Sequence, residues 1–104
     1  MYCMIMYNVM DGFDWDKGNK TKNWSKHRVS NKECEEVFFN RPVVIYRDIS
    51  HSKRENRFGI LGKTDKQRLL CLIFTVRKEK IRVISARDQN KKERIKYEKT
   101  RKTD

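Results

Sequence analysis

Residues 68–77 contain a near-continuous run of apolar side chains, and this run limits the possible folds more than any other part of the sequence. Its densest part reads LLCLIF. Such a run is typical of a central β-strand that is covered on both faces, because neither face then needs polar side chains. The run therefore predicts a strand at the centre of a sheet.

A neighbouring strand is predicted at residues 81–86, after a tight turn at Lys78 and Glu79. Connections this short join antiparallel neighbours. A two-residue turn places Thr75 opposite Arg82. The same register is expected to put four side chains on one face of the sheet: Ile81, Val83, Ser85 and Arg87. A single bulge would reverse that assignment.

Three helices are predicted around the sheet. Asp16 can cap a first helix that runs to about His27. A second helix begins at a capping box, in which the Ser30 hydroxyl accepts from a backbone amide while Glu33 reaches back to another. This helix is expected to stop near Asn40, and a third helix follows the last strand. The side chains expected to be buried on the second helix are Cys34, Val37 and Phe38.

Short strands are also predicted at residues 13–16, 43–46 and 56–62. The expected order is β-α-α-β-β-β-β-α, in which about four strands form an antiparallel sheet between two N-terminal helices and a C-terminal helix. Because a chain of 104 residues can hold only one hydrophobic core, we expect a small single domain. The expected helices and antiparallel strands make its fold class α+β. We expect an N-terminal tail at 1–10, the domain at 11–98 and a basic tail at 99–104.

Positive charge is concentrated towards the end of the chain. The formal net charge is +12, and residues 77–102 carry twelve Lys or Arg against four acidic residues. A charge of this size attracts polyanions such as nucleic acid, an anionic membrane or an acidic protein. The alternative interpretation is a solvated helix that only keeps the protein soluble.

The cysteines and histidines do not have the spacing of metal ligands. Cys3, Cys34 and Cys71 form no CxxC pair, and His27 and His51 lie far apart in the chain. We therefore expect no metal and no cofactor. The odd number of cysteines favours a reducing, cytoplasmic location, where Cys34 and Cys71 are thiols in the core.

Arginine is concentrated on or beside the last two strands and at the start of the last helix. Its planar guanidinium suits phosphate, because it donates two hydrogen bonds and stays charged. The amides that open the last helix would add a second anion-binding feature. The arginines in question are Arg57, Arg77, Arg82, Arg87 and Arg94.

Three other residues have both a structural and a functional interpretation. His27 is either a half-buried, hydrogen-bonded residue beside Trp24 or a proton shuttle. Glu55 is either an ion-pair partner of Arg57 or a base. Tyr97 is either a lid over the sheet or a platform on which a base stacks.

Five segments, taken in order, resemble the BrnT family of bacterial type II toxins. They read FDWDKGNKTKNWSKH, EEVFFNRP, HSKRENRFGILGKT, LLCLIFTVR and IRVISARDQNKKERIKYE, and they cover about residues 13–98. The last segment, with IRVISAR followed by ER and YE, is the most characteristic. Two features depart from the family: Arg28 stands where a Gly usually follows Lys-His, and residues 1–10 have no counterpart.

The resemblance implies a RelE-like ribonuclease toxin that cuts RNA without a metal ion, using the ribose 2′-OH as the nucleophile. It makes four arginines the candidates for stabilising the transition state: Arg57, Arg77, Arg82 and Arg87. Either Glu55 or His27 is then the candidate base, and Tyr97 joins the candidate catalytic residues. The resemblance implies RNA-binding roles for Lys26, Lys91, Lys92 and Arg94.

The resemblance also implies a partner, a BrnA-type antitoxin with a ribbon-helix-helix DNA-binding segment. Toxin and antitoxin are expected to form a heterotetramer that represses its own promoter. Two other functions remain open from the residues alone. One is a non-catalytic module that binds nucleic acid through its arginines, and the other is a basic adaptor that binds an acidic protein.

Overall fold

The computed structural model describes residues 12–49 and 55–103, and it contains a four-stranded antiparallel sheet. The strands are β1 (Val44–Arg47), β2 (Phe58–Lys63), β3 (Leu69–Arg77) and β4 (Lys80–Asp88), and they are adjacent in that order. The helices are α1 (Lys22–His27), α2 (Asn31–Phe39) and α3 (Lys91–Thr103). The predicted α+β class is confirmed, whereas the tail predicted at residues 1–10 lies outside the described residues.

The predicted central strand is confirmed. β3 pairs with β2 on one side and β4 on the other, and most of its residues are buried. One face of the sheet packs against α2, where the rings of Phe38 and Phe74 meet edge-on with their centroids 5.0 Å apart. The main core therefore lies between α2 and this face. Its buried members include Val29, Cys34, Val37, Leu72 and Val83.

The capping box at the start of α2 is also confirmed. The Ser30 hydroxyl accepts from the amide of Glu33 at 3.1 Å, and the Glu33 carboxylate accepts from the amide of Ser30 at 3.0 Å. Both groups are local in sequence, so the start of this helix is predictable from the sequence alone.

A bulge in β4 changes which side chains face the core. Thr75 lies opposite Arg82, as predicted, but the register shifts at the next positions, so that Ile73 pairs with Ser85 and Phe74 pairs with Val83. Ile84 is the extra residue. The prediction that Ile81, Val83, Ser85 and Arg87 share one face was therefore wrong: Ile81 and Val83 belong to the main core, whereas Ser85 and Arg87 point to the opposite face.

The segment before α1 covers the outer edge of β4. Residue 13 forms only an isolated parallel bridge to Ile81, so the strand predicted at residues 13–16 reduces to this bridge. The buried side chains of Asn19 and Asn23 then bond the backbone of β4, with Asn19 Nδ2 donating to the Val83 carbonyl and the Ala86 amide donating to Asn23 Oδ1. These bonds satisfy a backbone carbonyl and a backbone amide at the edge of the sheet, on either side of the bulge.

Asp16 does not cap α1, which begins at Lys22. The Asp16 carboxylate accepts from the amide of Gly18 at 2.8 Å and from the Arg82 guanidinium. The helix starts later than predicted because the side chains of Asp16 and Asn19 accept hydrogen bonds from nearby backbone amides and so form a turn. Asp and Asn side chains commonly form such turns instead of continuing a helix.

α3 lies against part of the other face of the sheet and is held there by Tyr97. The Tyr97 side chain is fully buried with Leu61 and Cys71, and its hydroxyl donates to the Pro42 carbonyl at 2.8 Å. The helix continues to Thr103, past the domain end expected at residue 98. A single aromatic side chain is therefore the main apolar anchor of a helix that is otherwise polar.

Candidate functional site

The face of the sheet opposite α2 is only partly covered by α3, and we call its uncovered part the open face. Strand pairing arranges its residues in rows that cross the sheet. One row runs through Tyr46, Gly59, Ile73 and Ser85. The next row contains Thr75 and Arg82, which lie opposite each other. The bulge is what brings Arg82, Ser85 and Arg87 to the same face, because it reverses the alternation between them.

A cavity of about 330 Å³ lies on the open face. The ring of Tyr46 forms one side of it and lies across Gly59, where any Cβ would collide with the ring. The cavity therefore depends on a glycine at this position. Its lining combines apolar and polar side chains: Tyr46, Asp48, Arg57, Ile73, Ile84 and Ser85.

Three of the predicted arginines on this side of the sheet each form a two-point ion pair with a carboxylate. Arg77 bonds Glu55 with both distances at 3.0 Å, Arg82 bonds Asp16 with both at 2.9 Å, and Arg87 bonds Glu93 at 2.8 and 3.0 Å. Their environments differ. The Arg82 side chain is only 12% exposed, whereas Arg77 is 49% and Arg87 42% exposed. Arg77 and Arg87 are therefore accessible to an anionic ligand, and Arg82 mainly fixes residues 14–16 to β4.

Glu55 lies within the electrostatic reach of several arginines. The hydrogen bonds from Arg77 lower the pKa of Glu55, and the charges of Arg57 and Arg82 act in the same direction. Glu55 is therefore ionised at neutral pH. The structure brings together Glu55, Arg57, Arg77 and Arg82, and the predicted pairing of Glu55 with Arg57 is replaced by the direct pair with Arg77.

A second group of polar side chains surrounds Arg87. Burial opposes the charged form of Glu93, but the hydrogen bonds from Arg87 and from the Asn90 amide hold the pKa of Glu93 below its usual value. Burial raises the pKa of the Cys71 thiol and of the Tyr46 hydroxyl, whose Sγ and Oη atoms lie 3.8 Å apart. Tyr46 thus connects this group to the cavity, which has Arg57 in its lining.

The other predicted residues lie elsewhere. His27 and Lys26 are exposed at the end of α1, where Trp24 is also 50% exposed. Tyr97 is buried in the core. Arg94 donates to the Gln89 carbonyl at 2.8 Å on the far flank of α3.

Sequence reasoning did not identify Tyr46, Asp48 and Ser85 as members of the site. Tyr46 and Ser85 were assigned to strands, and only the pairing of β1 with β2 and of β3 with β4 places them in one row. Alternation along β1, continued by one residue past its end, would have indicated that Tyr46 and Asp48 share a face. No local signal indicates the bulge that turns Ser85 towards them.

The open face can bind and stabilise negative charge. Accessible guanidinium groups at its two ends, from Arg77 and Arg87, leave between them a cavity with an aromatic side and a hydroxyl at Ser85. Such an arrangement suits a nucleotide, in which phosphates alternate with planar bases.

Two further observations concern metals and membranes. Within residues 12–49 and 55–103, no three side chains of His, Cys, Asp or Glu come together as ligands for a metal ion. Over the same ranges, no helix has the length and apolar composition that crossing a membrane requires.

Comparison with known proteins supports one family. A search of curated proteins found no match. A family model described as the ribonuclease toxin BrnT of a type II toxin-antitoxin system matches residues 15–93, which include the whole sheet and both helices that precede it. The chain therefore belongs to the BrnT family of type II toxin-antitoxin ribonuclease toxins.

Proposed function

We propose that the protein is an endoribonuclease that cleaves RNA on the open face by metal-independent transesterification. In this reaction the ribose 2′-oxygen attacks the adjacent phosphorus and the bond to the 5′-oxygen breaks. The 2′-OH gives up its proton, and the 5′-oxygen receives one. The products are a 2′,3′-cyclic phosphate and a free 5′-hydroxyl.

The observation that carries this proposal is the position of Arg77 and Arg87 on either side of the cavity that Arg57 lines. Negative charge grows on the phosphoryl oxygens in the transition state, and guanidinium groups held in place by Glu55 and Glu93 need no reorganisation to meet it. Each well-placed donor is worth about 10²–10³ in rate. We assign Arg57, Arg77 and Arg87 to this task.

We assign proton transfer to Glu55, which is ionised and pairs directly with Arg77. Glu55 can accept the 2′-OH proton, but its lowered pKa makes it a weak base, so acid–base catalysis contributes less than charge stabilisation. We assign structural roles to Arg82, which fixes the segment before α1, and to Tyr97, which anchors α3. His27 and Lys26 lie on α1, where they are accessible to a longer RNA.

Family membership implies an antitoxin partner, and we propose that it is of the BrnA type, with a ribbon-helix-helix segment, and that it forms a heterotetramer with this protein. We propose the reducing cytoplasm as the setting. This is consistent with Cys34 and Cys71, which are buried free thiols, and burial raises the pKa of Cys34 to about 12.

The decisive experiment measures RNA cleavage by the purified protein in excess chelator and identifies the new ends. We expect unchanged cleavage and 2′,3′-cyclic phosphate ends. A substrate with 2′-deoxyribose at the scissile position should bind but stay intact. Cleavage of that substrate, or a requirement for a divalent ion, would rule out the mechanism. RNA binding without cleavage would favour the alternative function, a non-catalytic RNA-binding module.

A further inference from the structure

A groove of about 620 Å³ runs along the flank of α3 that faces away from the open face. Its apolar part consists of Leu69 on β3 and Ile95 on α3, and Ile95 is 51% exposed. Among the described residues its charged lining is dominated by cations, with Glu98 as the one acidic residue. The cations are Lys91, Arg94, Lys99 and Lys102.

This groove is separate from the cavity on the open face. Tyr97 and Glu93 point towards the sheet, whereas Lys96 lies over the Tyr46 ring, at 5.8 Å from its centroid, on the flank next to the cavity. Ile95 and the cations of the groove are three or four residues apart, so they share one side of α3. This side differs from the sides on which Tyr97 and Lys96 lie. A ligand in the groove thus contacts a different side of α3 from a ligand in the cavity.

We propose that the groove binds an acidic, amphipathic segment of the antitoxin. An exposed branched aliphatic side chain within a ring of cations suits a peptide whose apolar residues cover Leu69 and Ile95 while its carboxylates pair with the rim. The apolar contact supplies most of the affinity, because charge pairs at a rim affect the association rate more than the affinity.

RNA fits the groove less well than a peptide does. Single-stranded nucleic acid uses aromatic side chains as stacking platforms for its bases, and the floor of this groove is aliphatic. An aromatic side chain, Tyr46, borders the other flank of α3. The inference concerns the partner surface alone and does not depend on the proposed cleavage mechanism.

The test measures antitoxin binding and RNA cleavage with the same set of full-length variants. Ile95→Glu places a carboxylate on the apolar floor, and Lys99→Glu reverses one rim charge. Lys32→Glu makes the same charge reversal on the exposed side of α2 and serves as the matched control. The probe is a purified BrnA-type antitoxin, titrated against each variant.

We expect Ile95→Glu to weaken antitoxin binding by at least tenfold and Lys99→Glu by a few-fold, with Lys32→Glu unchanged. RNA cleavage by the free variants should stay within about twofold of the parent protein. Ile95→Ala, which introduces no charge, should give a smaller loss of binding in a protein that melts normally.

Two results would overturn the inference. The first is unchanged antitoxin affinity in both groove variants. The second is loss of RNA cleavage in variants that melt normally, whether or not they still bind the antitoxin, because the groove would then belong to the RNA surface.

Discussion

Arg87 on β4 donates two hydrogen bonds to Glu93 in the first turn of α3, at 2.8 and 3.0 Å. Glu93 also accepts from the Asn90 amide, and the Glu93 amide donates to the Asn90 side chain, so the same carboxylate completes a capping box. Glu93 therefore both caps the start of α3 and fixes the Arg87 side chain on the open face.

Replacing Arg87 with Ala is expected to lower the cleavage rate by about 10²–10³, because one positioned donor for the phosphoryl oxygens is lost. Arg87→Lys should recover little of it, since an ammonium cannot bond both Glu93 oxygens and still offer a planar fork to phosphate. Single-turnover cleavage and thermal melting are measured on the same samples. Wild-type cleavage by a well-folded Arg87→Ala protein would remove Arg87 from the site.

Substitutions of Arg82 and Arg77 should distinguish an arginine with a structural role from one with a functional role. Arg82→Ala removes a guanidinium that is only 12% exposed, together with its ion pairs to Asp14 and Asp16, so we expect a lower melting temperature. Arg77→Ala removes a half-exposed pair, so melting should stay close to the parent value while cleavage falls. A normal melting curve for Arg82→Ala together with lost cleavage would instead place Arg82 among the catalytic groups.

Two glycines in β2 provide a matched pair of substitutions. Gly59→Ala should displace the Tyr46 ring, which is 36% exposed and can move outwards, and so reduce RNA cleavage with little effect on stability. Gly62→Ala brings its Cβ to 2.8 Å from Val37 Cγ1 and 3.3 Å from the Val37 carbonyl oxygen, against the core side of α2. Overpacking of this kind costs about 1–3 kcal/mol. Denaturant unfolding and RNA cleavage are measured on both variants, and unimpaired cleavage by Gly59→Ala would show that the Tyr46 cavity has no role.

The affinity for RNA should fall as the salt concentration rises, because Lys96 beside the open face contacts phosphate. The logarithm of affinity for single-stranded RNA is expected to fall by about 0.7 per phosphate contact for each unit of log salt. Lys96→Ala, next to Tyr46, should reduce this slope by about 0.7. Lys91→Ala, in the groove along the other flank of α3, should leave it unchanged. Titrations at four salt concentrations measure the slopes, and the reverse pattern would assign RNA to that groove.

Arg28 ends α1 in the left-handed conformation, with φ 54° and ψ 41°. Its guanidinium carbon lies 5.3 Å from the centroid of the Trp24 ring. We expect Arg28→Gly to be more stable than Arg28→Ala by about 1 kcal/mol, because only glycine adopts this conformation without steric cost. Chemical denaturation measures the difference, and equal stabilities would show that the turn relaxes to another conformation.

Local sequence was sufficient for the elements whose interactions are local. The Ser30–Glu33 capping box, the apolar run of β3 and the turn at Lys78 and Glu79 each depend on residues within a few positions, so their consequences were predictable. The pairing of Thr75 with Arg82 followed directly from the length of that turn. The family was also readable from the order of the sequence segments.

Only the tertiary structure decided which side chains form the candidate site. The extra residue at Ile84 is accommodated because Asn19 and Asn23, more than sixty positions earlier, bond the backbone on either side of it. That bulge turns Ser85 and Arg87 away from the core. The carboxylate partners of Arg82 and Arg77 are likewise distant in sequence. Hydrogen-bond satisfaction at a sheet edge depends on which segment lies beside it, and residue spacing alone does not specify that segment.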